Sequence, residues 1–413
     1  MDKKLFVAHQ VGTEAQPDYM IFGPEGKEQP TLIAESPVII PEHDRVQLDD
    51  ITTKVAKVIE QTTISPEFAE GVGVEPHYAR DVINFDSTTN SAITYFGLDL
   101  VKGEDGRFYV IEINPNNQSF LQRPRAESIG SAHNDDFVAH LTERFQSSGV
   151  QSAAVIGSRK NAFWRSHEYL ARRMAQAGID TAYTDIQGFG QLLEEGFYPD
   201  ILFRCCNSKT FLYSDGSQMM LDYCQEREDV HVLNSLSAPF FGYRKFLRQL
   251  QEQQPDIMPL TRNDASTVDP VQFPWLKYEG KDGFSLVVNL TNVRKWQRDA
   301  ILNALCGSNA AAAEIIEGKT NSGAENVREL MRSLTTDGGS YIFQQHINPS
   351  QERVLYQGVE TTVTTLYRTT GVIMPDGGVK VSYEMYGCTP TQLSQANGKI
   401  NAGTGIYIAP IIE

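Results

Sequence analysis

The sequence predicts an α/β protein, and three observations indicate this class. Near residue 100, two β-patterned runs, Tyr95–Lys102 and Arg107–Ile113, flank the turn pair Asp105-Gly106. Residues 150–236 alternate short apolar runs with helical patterns, which is typical of a small parallel α/β domain. After residue 237, a helical pattern precedes a series of strand patterns. With 413 residues, the chain is long enough for two or three packed regions, which we predict at 1–149, 150–236 and 237–413.

Hydrophobic periodicity places further elements along the chain. A short helix is predicted at Leu48–Glu60, whereas the polar, weakly patterned residues 61–92 indicate an insertion or a loop. The second region is predicted to contain strands at Ala153–Gly157, Thr181–Thr184 and Ile201–Arg204, with a helix at 161–177. The third region is predicted to contain helices at Arg244–Gln253, Val293–Cys306 and Glu325–Leu334, and strands at Trp275–Tyr278, Ser285–Val288, Tyr341–Gln345, Thr361–Arg368 and Val379–Tyr386.

Composition excludes several classes of protein. A net charge of −16 argues against nucleic acid or an anionic membrane as the main partner. No apolar run approaches the length of a transmembrane helix, and the amino-terminal residues lack the apolar core of a secretory signal. The five cysteines are odd in number and lack metal-type spacing, which indicates free thiols in a reducing cytoplasm. Adjacent Cys205 and Cys206 are expected to pack as small apolar residues.

The hairpin near residue 100 is the most informative segment. If Asp105-Gly106 forms a two-residue loop, Glu104 pairs with Arg107 and Asp99 lies directly opposite Glu112. Two facing carboxylates repel each other unless a cation neutralises them. The hairpin therefore gathers acidic groups that require a positive partner.

Asn114 follows Glu112 by two residues and points to the same face of the strand. Two carboxylates and an amide oxygen at one strand end suit Mg²⁺ or Mn²⁺, especially when phosphates complete the coordination shell. The competing interpretation is a surface hairpin whose acidic side chains are simply solvated.

Three further segments are suited to a nucleotide. Lys277 lies on a predicted strand before the glycine-bounded loop Gly280–Gly283, a combination suited to phosphates. Lys245 lies on the first turn of a predicted helix. The strand pattern in SYIFQQHINP is followed by the hinge Gln344–Ile347, which is mostly polar. Gln345 and the nearby backbone are predicted to contact an adenine edge. Each lysine, taken alone, is equally typical of an exposed surface.

Two other enzyme classes find no support in the sequence. The AAVIGSRKNAF segment has a strand and one glycine but no GxGxxG, which argues against a dinucleotide-dependent oxidoreductase. No HExxH or comparable cluster occurs among the eight histidines, which argues against zinc hydrolysis.

Taken together, these segments resemble the ATP-grasp superfamily. The interval between Asp99 and Glu112 and the E-x-N ending resemble the metal-binding hairpin of D-alanine–D-alanine ligase-type enzymes. Here the hairpin precedes the α/β region, both lysines and the hinge, an order similar to the circularly permuted eukaryotic-type glutathione synthetase. VIEINPNNQSF, PWLKYEGKDG, SYIFQQHINP and KINAGTGIYIAP resemble that family's motifs. The resemblance implies a circularly permuted ATP-grasp fold with an inserted small parallel α/β domain.

The resemblance also implies roles for individual residues. Mg²⁺ or Mn²⁺ would be held by Asp99, Glu112 and Asn114. ATP would be bound by Lys245, Lys277, Gly280, Gly283, Gln344, Gln345 and Ile347. A carboxy-terminal lid over the nucleotide would be formed by Asn397–Gly405.

The chain departs from the family pattern at three places. Gly97 stands where many relatives have an arginine over the acyl phosphate, so Arg368 or Arg123 is expected to substitute as the catalytic arginine. The loop reads GKDG rather than a glycine triplet, and Gln345 replaces the usual hinge glutamate. Arg123, Arg125 and Arg204 are also candidates for binding a substrate carboxylate, although such arginines more often form surface ion pairs.

The first functional hypothesis is an ATP-dependent carboxylate–amine ligase that forms an amide bond through an acyl phosphate and releases ADP and phosphate. Its expected substrates are a carboxylic acid and an amine, an amino acid or a short peptide by analogy. Two alternatives remain open: an ATP-grasp small-molecule kinase, and a nucleotide-binding regulatory protein without turnover. A cytoplasmic location and a homodimer are expected for this class.

Overall fold

The computed structural model describes residues 40–115, 136–161, 164–227, 229–280, 285–307, 325–336, 339–356 and 359–390, together with short strands near both chain ends. Its helices are α1 Glu42–Gln61, α2 Pro66–Val72, α3 Pro76–Thr88, α4 Asp136–Ser147, α5 Trp164–Gln176, α6 Phe189–Glu194, α7 Ser208–Tyr213, α8 Ser217–Glu226, α9 Arg244–Gln253, α10 Lys295–Leu305 and α11 Glu325–Thr336. Its strands before residue 150 are β1 Lys4–Leu5, β2 Ala8–His9, β3 Ile21–Phe22, β4 Gln29–Pro30, β5 Ile33–Ala34, β6 Val38–Ile39, β7 Asn90–Ala92, β8 Tyr95–Lys102 and β9 Phe108–Asn114. The later strands are β10 Ser152–Ile156, β11 Asp180–Thr184, β12 Ile201–Arg204, β13 His231–Leu233, β14 Thr261–Arg262, β15 Trp275–Glu279, β16 Ser285–Asn289, β17 Ser340–Gln344, β18 Gln351–Tyr356, β19 Val359–Ile373, β20 Val379–Pro390, β21 Tyr407–Ala409 and β22 Ile411–Ile412. The mixed α/β class predicted from the sequence is confirmed.

The largest sheet is organised around the long strand β19. Its strand order is β1-β18-β19-β20-β21-β5-β2, and β8 and β9 extend it from the second half of β19. All pairs that involve β8, β9, β19 and β20 are antiparallel. The hairpin β8–β9 is therefore anchored on one side by a third strand, which provides the neighbour that the sequence pattern alone did not assign.

The hairpin has a different turn from the predicted one, yet it keeps the predicted acidic pair. The amide of Gly103 donates to the carbonyl of Arg107 at 2.8 Å, so the loop has three residues and Glu104 does not pair with Arg107. Gly106 has a φ of 79°, a value that favours glycine. An extra residue, Ile111, then bulges out of β9 and restores the register, so that Asp99 lies opposite Glu112 as predicted.

A second sheet is parallel and has the order β11-β10-β12-β13-β7. The predicted strands in residues 150–236 are confirmed, and Ala153 and Ala154 show the complete burial typical of a covered parallel sheet. Its last strand, Asn90–Ala92, comes from outside that region and pairs in parallel with His231–Leu233.

The prediction of a loop at 61–92 is wrong, because α2, α3 and β7 occupy this segment. Its polar residues act as helix caps. The Ser65 hydroxyl accepts from the amide of Phe68, and the Glu75 carboxylate accepts from the amides of His77 and Tyr78. The predicted helix Leu48–Glu60 is confirmed, although it begins earlier and extends over Glu42–Gln61.

The third sheet is antiparallel and has the order β14-β17-β15-β16. Leu276, Tyr278 and Phe343 share one face with the helices α10 and α11 in an apolar core. Lys277 and Glu279 alternate with these residues, so they lie on the opposite face of β15. The strands and helices predicted after residue 237 are confirmed, with boundary shifts, and β18 is an addition to them.

Asn234 joins the parallel sheet to the hairpin. Its Oδ1 accepts from the amides of Thr94 and Tyr95 at 2.8 and 3.2 Å. Its Nδ2 donates to the carbonyls of Tyr95 and Pro115 at 2.6 and 2.5 Å. The side chain is fully buried, so both halves of the amide are needed to satisfy backbone groups at this junction.

We expect Asn234→Asp to lower the free energy of unfolding by about 2–4 kcal/mol, because a carboxylate cannot donate to two carbonyls and would be buried with them. Urea denaturation followed by circular dichroism measures this change. Asn207→Asp is the matched control, since Asn207 uses only its Oδ1 to cap the helix that begins at Ser208, and aspartate caps equally well. Equal stability of the two variants would contradict the prediction.

His167 lies on α5 against the parallel sheet and is fully buried. Neither ring nitrogen has a hydrogen-bond partner within the described part of the chain. Burial lowers its pKa from 6.5 to about 3, so the folded protein holds the imidazole neutral. A Cβ added at Gly157 would lie 2.8 Å from His167 Nδ1, which shows how closely the ring approaches the end of β10.

This burial predicts a loss of stability in mild acid. Below about pH 6.5 the unfolded chain protonates His167 while the folded chain does not, so folding weakens by up to about 1.4 kcal/mol per pH unit as pH falls toward 3. His167→Met should remove this slope from the acid limb of a melting-temperature profile. His77→Gln, at an exposed histidine, should leave it unchanged, and an unaltered slope in the His167 variant would refute the assignment.

No helix in the described part of the chain is long and apolar enough to cross a membrane.

Candidate functional site

A row of three charged residues crosses the large sheet. Arg368 on β19 is paired with Asp99 on β8, and Asp99 is paired with Glu112 on β9. The Arg368 guanidinium donates from Nε to Asp99 Oδ1 at 2.5 Å and from NH2 to Asp99 Oδ2 at 2.7 Å. This bidentate contact neutralises one of the two facing carboxylates within the sheet itself.

Lys277 extends from the four-stranded sheet to the hairpin. Its Nζ donates to the carbonyl of Ile111 at 2.5 Å, and Ile111 is the residue that bulges out of β9. A bulge leaves a carbonyl without a strand partner, and here the lysine uses it. Burial and the charge of Arg244 lower the Lys277 pKa to about 7, although Glu112 and Asp99 oppose the shift.

Arg244 provides a third cation at the first turn of α9. Its NH1 lies 3.2 Å from Glu112 Oε1, and the arginine side chain is 8% exposed. Gly242 permits this approach, because a Cβ there would lie 3.2 Å from Pro115 Cδ and 3.3 Å from the carbonyl oxygen of Ile113. The chain therefore passes directly over the end of the hairpin before the helix begins.

Glu112 is consequently surrounded by positive charge. Burial opposes its ionisation, but the charges of Arg244, Lys277 and Arg368 outweigh burial and hold its pKa below the usual value. The Glu112 side chain is 37% exposed, so it remains open to a ligand.

Glu279 lies at the end of β15 and caps α9. Its Oε2 accepts from the backbone amide of Arg244 at 3.3 Å. Burial raises its pKa, Arg244 lowers it, and Glu112 adds to the rise, so the two glutamates share one electrostatic site. Sequence reasoning missed both Arg244 and Glu279.

Both residues carried a signal in the sequence. Arg244 precedes Leu247 by one helical turn and shares its buried face, which is unusual for an arginine. Glu279 follows Lys277 by two residues on a strand, so both side chains point to one face.

Lys245 and the hinge residue Gln344 have surroundings of their own. A Cβ at Gly73 would lie 3.9 Å from Lys245 Cδ and 2.9 Å from Ser340 Cβ, which places the half-buried lysine stem beside α2. Gln344 is 3% exposed and lies opposite Trp275 on the same face as Lys277, and its Nε2 has no partner among the described residues.

The remaining hinge residues connect the small sheet to the hairpin. The amide of Gln345 donates to the carbonyl of Leu260 at 2.8 Å and is therefore already used. Ile347 packs against Val101 and Leu366. Gly280 is buried just after β15. Its role over the phosphates and the role of the hinge residues in adenine binding stay predictions.

Several predicted positions lie outside the described residues, namely Arg123, Arg125, Gly283 and the lid Asn397–Gly405. Arg204 is described, and its proposed contact with a substrate is wrong. It is 1% exposed, and it donates to the backbone carbonyls of Asn234 and Ser235 at 3.2 and 2.9 Å. Its charge is used to hold the loop after β13. Cys205 and Cys206 are buried, as predicted.

The donor set fits a divalent cation only in part. Among the described residues, no group of three or more His, Cys, Asp or Glu side chains is arranged to hold a metal ion. Both oxygens of Asp99 are held by Arg368, whereas the buried Nδ2 of Asn114 has no partner within the described chain. Mg²⁺ commonly uses one or two carboxylates together with phosphates and water, and here Glu112 offers one carboxylate and the amide of Asn114 one further oxygen.

Comparison with known proteins gives a structural likeness and no sequence match. No protein-family model matches the chain, and no curated protein matches it. The fold is similar to that of a glutathione synthetase-like effector from Globodera pallida in its apo form, with a TM-score of 0.56 and 10% identity over 95% of this chain and 93% of that one. At this identity the likeness supports the fold alone.

A weaker likeness involves a leucine-binding protein from Thermotoga maritima, with a TM-score of 0.21 and 11% identity over 60% of this chain and 64% of that one. A TM-score this low supports no conclusion about fold or function.

Proposed function

We propose that this chain is an ATP-grasp enzyme that joins a carboxylate to an amine with release of ADP and phosphate. The observation that carries the proposal is the contact of Lys277 with Ile111. It brings a buried lysine from one antiparallel sheet against an acidic hairpin of another. A buried lysine and a buried arginine beside an acidic strand end form a charge arrangement that is suited to the phosphates of a nucleoside triphosphate together with a divalent cation.

The proposed roles follow from charge. A carboxylate is a poor electrophile, so phosphoryl transfer from ATP first makes an acyl phosphate, and an amine then displaces the phosphate. Lys277 and Arg244 would neutralise the phosphates and hold them in line with the carboxylate. Glu112 and Asn114 would hold Mg²⁺, which stabilises charge on the transferring group when it is bound.

Three of the predicted roles change in this proposal, and the first is that Arg244 takes the phosphate role predicted for Lys245. Asp99 would position Arg368 rather than ligate the metal, because its oxygens already accept two hydrogen bonds from that arginine. Glu279, which shares the electrostatic site of Glu112, is the alternative second carboxylate. Arg368 would hold the hairpin face in place by its contact with Asp99, and an amino acid or short peptide is the substrate class we propose by analogy.

The test is release of ADP from Mg²⁺-ATP in the presence of pooled amino acids, short peptides and small carboxylic acids, with hydroxylamine as a trap. Substrate-dependent ADP release with hydroxamate formation is the expected result. ADP release with a phosphorylated product and no hydroxamate would favour the kinase alternative. Nucleotide binding without turnover across the pool would favour a regulatory protein, a possibility that the neighbouring effector keeps open.

A further inference from the structure

The position of Arg244 raises a question about metal binding. Its guanidinium lies 3.2 Å from Glu112, and its backbone amide donates to Glu279 at 3.3 Å. The first turn of α9 therefore places one permanent positive charge at the two carboxylates that are not held by Arg368. Arginine remains protonated at any relevant pH, so this charge cannot be removed by titration.

The contact is built into the fold. The close passage of Gly242 over Pro115 determines where α9 begins, and Leu247 and Leu250 bury the face of the helix that carries Arg244. Arg244 can leave Glu112 only by changing its own rotamer, because the backbone is held on both sides. Because the arginine side chain is only 8% exposed, its charge would be left buried without a counter-ion unless another anion is present where it moves.

We propose that Arg244 is the internal counter-cation of Glu112 in the metal-free protein and competes with the divalent cation for this carboxylate. This inference rests on the proposed function, since the triphosphate is the anion that would draw Arg244 away. Metal then binds weakly to the free protein and tightly together with nucleotide. The Arg244 side chain thus makes nucleotide bind before or together with the metal, and the nucleotide-free protein has little affinity for metal ions.

Electrostatics gives the direction of the effect. A divalent cation placed beside Glu112 would lie close to the guanidinium, and like charges at this separation repel strongly in a partly buried site. Removal of the guanidinium takes away one of the three cations around Glu112, leaves Lys277 and Arg368, and lowers this barrier. The variant should therefore bind metal more tightly than the natural chain, which is the opposite of the usual effect of a mutation in a binding site.

The experiment measures Mn²⁺ binding to the nucleotide-free protein by electron paramagnetic resonance of free Mn²⁺. Arg244→Gln is expected to bind Mn²⁺ at least about tenfold more tightly than the natural protein. Arg244→Lys, which keeps the charge, should remain close to the natural value. Arg244→Gln combined with Glu112→Gln should lose the gain, which assigns the metal to Glu112.

Arg244→Met retains an apolar stem and serves if the glutamine variant fails to fold by circular dichroism. Unchanged or weaker Mn²⁺ affinity in a folded neutral variant would overturn the proposal. A gain that survives Glu112→Gln would overturn it as well, because the metal would then be bound elsewhere.

The two proposals fail separately. Turnover of ATP by the natural protein, with no gain of Mn²⁺ affinity in the neutral variants, would refute the role of Arg244 and leave the proposed function standing. A gain of Mn²⁺ affinity that depends on Glu112, in a protein that binds no ATP, would support the counter-cation and refute the ligase.

Discussion

Lys277→Met is expected to abolish nucleotide binding and at the same time to stabilise the protein. The side chain is 7% exposed, and its pKa of about 7 shows that the fold disfavours its charged form. The repulsion from Arg244 and the cost of burial exceed the attraction of Glu112 and Asp99. Methionine has a similar shape and no charge, and loss of the hydrogen bond to the Ile111 carbonyl offsets part of the gain, so we expect the free energy of unfolding to rise by about 1–3 kcal/mol. A gain of stability with a loss of function identifies a residue kept for its ligand.

Denaturation in urea and calorimetric titration with a non-hydrolysable ATP analogue measure the two effects. Lys295→Met is the control, because Lys295 is exposed at the start of α10, far along the chain from the hairpin. We expect nearly unchanged stability and binding for it. If the Lys277 variant binds the analogue with the same affinity as the natural protein, Lys277 has no role in binding the phosphates.

The pH dependence of stability provides an independent check on Lys277. Between about pH 7 and 10.5 the unfolded chain keeps the lysine protonated while the folded chain releases the proton. The free energy of unfolding therefore rises with pH across this window, by up to about 1.4 kcal/mol per pH unit. Subtracting the free energy of unfolding of the Lys277 variant from that of the natural protein at each pH removes the contribution of tyrosines that titrate in the same range. A flat difference would show that the amine is protonated in both states.

Glu112→Gln is expected to lower the rate of ADP formation by at least about 100-fold. Glutamine keeps the shape and one oxygen but loses the charge that draws a divalent cation to the hairpin. Arg244, Lys277 and Arg368 would then lack a central anion and would still attract the phosphates. The variant should therefore bind Mg²⁺-ATP more weakly than it binds an ATP analogue without Mg²⁺. Steady-state rates at varied Mg²⁺ concentration separate the loss of metal affinity from a general loss of activity.

Glu104→Gln is the matched control for this variant, since Glu104 is exposed at the tip of the same hairpin. Its activity should remain within about twofold of that of the natural protein. Thermal melting of both variants confirms that the hairpin is folded. Natural rates in a folded Glu112 variant would show that the facing carboxylates have no part in the reaction.

The hairpin shows how a correct prediction can rest on an incomplete premise. Turn chemistry predicted a two-residue loop, and the chain instead forms a three-residue loop with Gly106 in the left-handed region. The bulge at Ile111 offsets the added loop residue, so Asp99 still lies opposite Glu112. Alternation along each strand is robust because the side-chain period is two, whereas bulges depend on what a neighbouring sheet requires.

The loop prediction for residues 61–92 failed for a related reason. Polarity and a weak hydrophobic pattern predicted irregular structure, but the polar residues Ser65 and Glu75 cap two helices. Loops and helix caps are both polar, so composition does not distinguish them. The helices are stabilised by packing against α9 and other elements that are distant in sequence. Periodicity predicted even short elements correctly where the apolar pattern was clear, as in the four-residue strand Ile201–Arg204.

The sequence by itself determined the mixed α/β class, most of the longer strands and helices after residue 150, and the pairing of Asp99 with Glu112 on the face that Asn114 shares. These features depend on periods of two and 3.6 residues, which are local. The tertiary structure alone decided the electrostatics of that face. Arg368 comes from a strand more than 250 positions away in the chain, and Arg244 and Lys277 come from other elements. Charge pairing acts through space, so the cations that surround a carboxylate cannot be derived from the residues beside it in sequence.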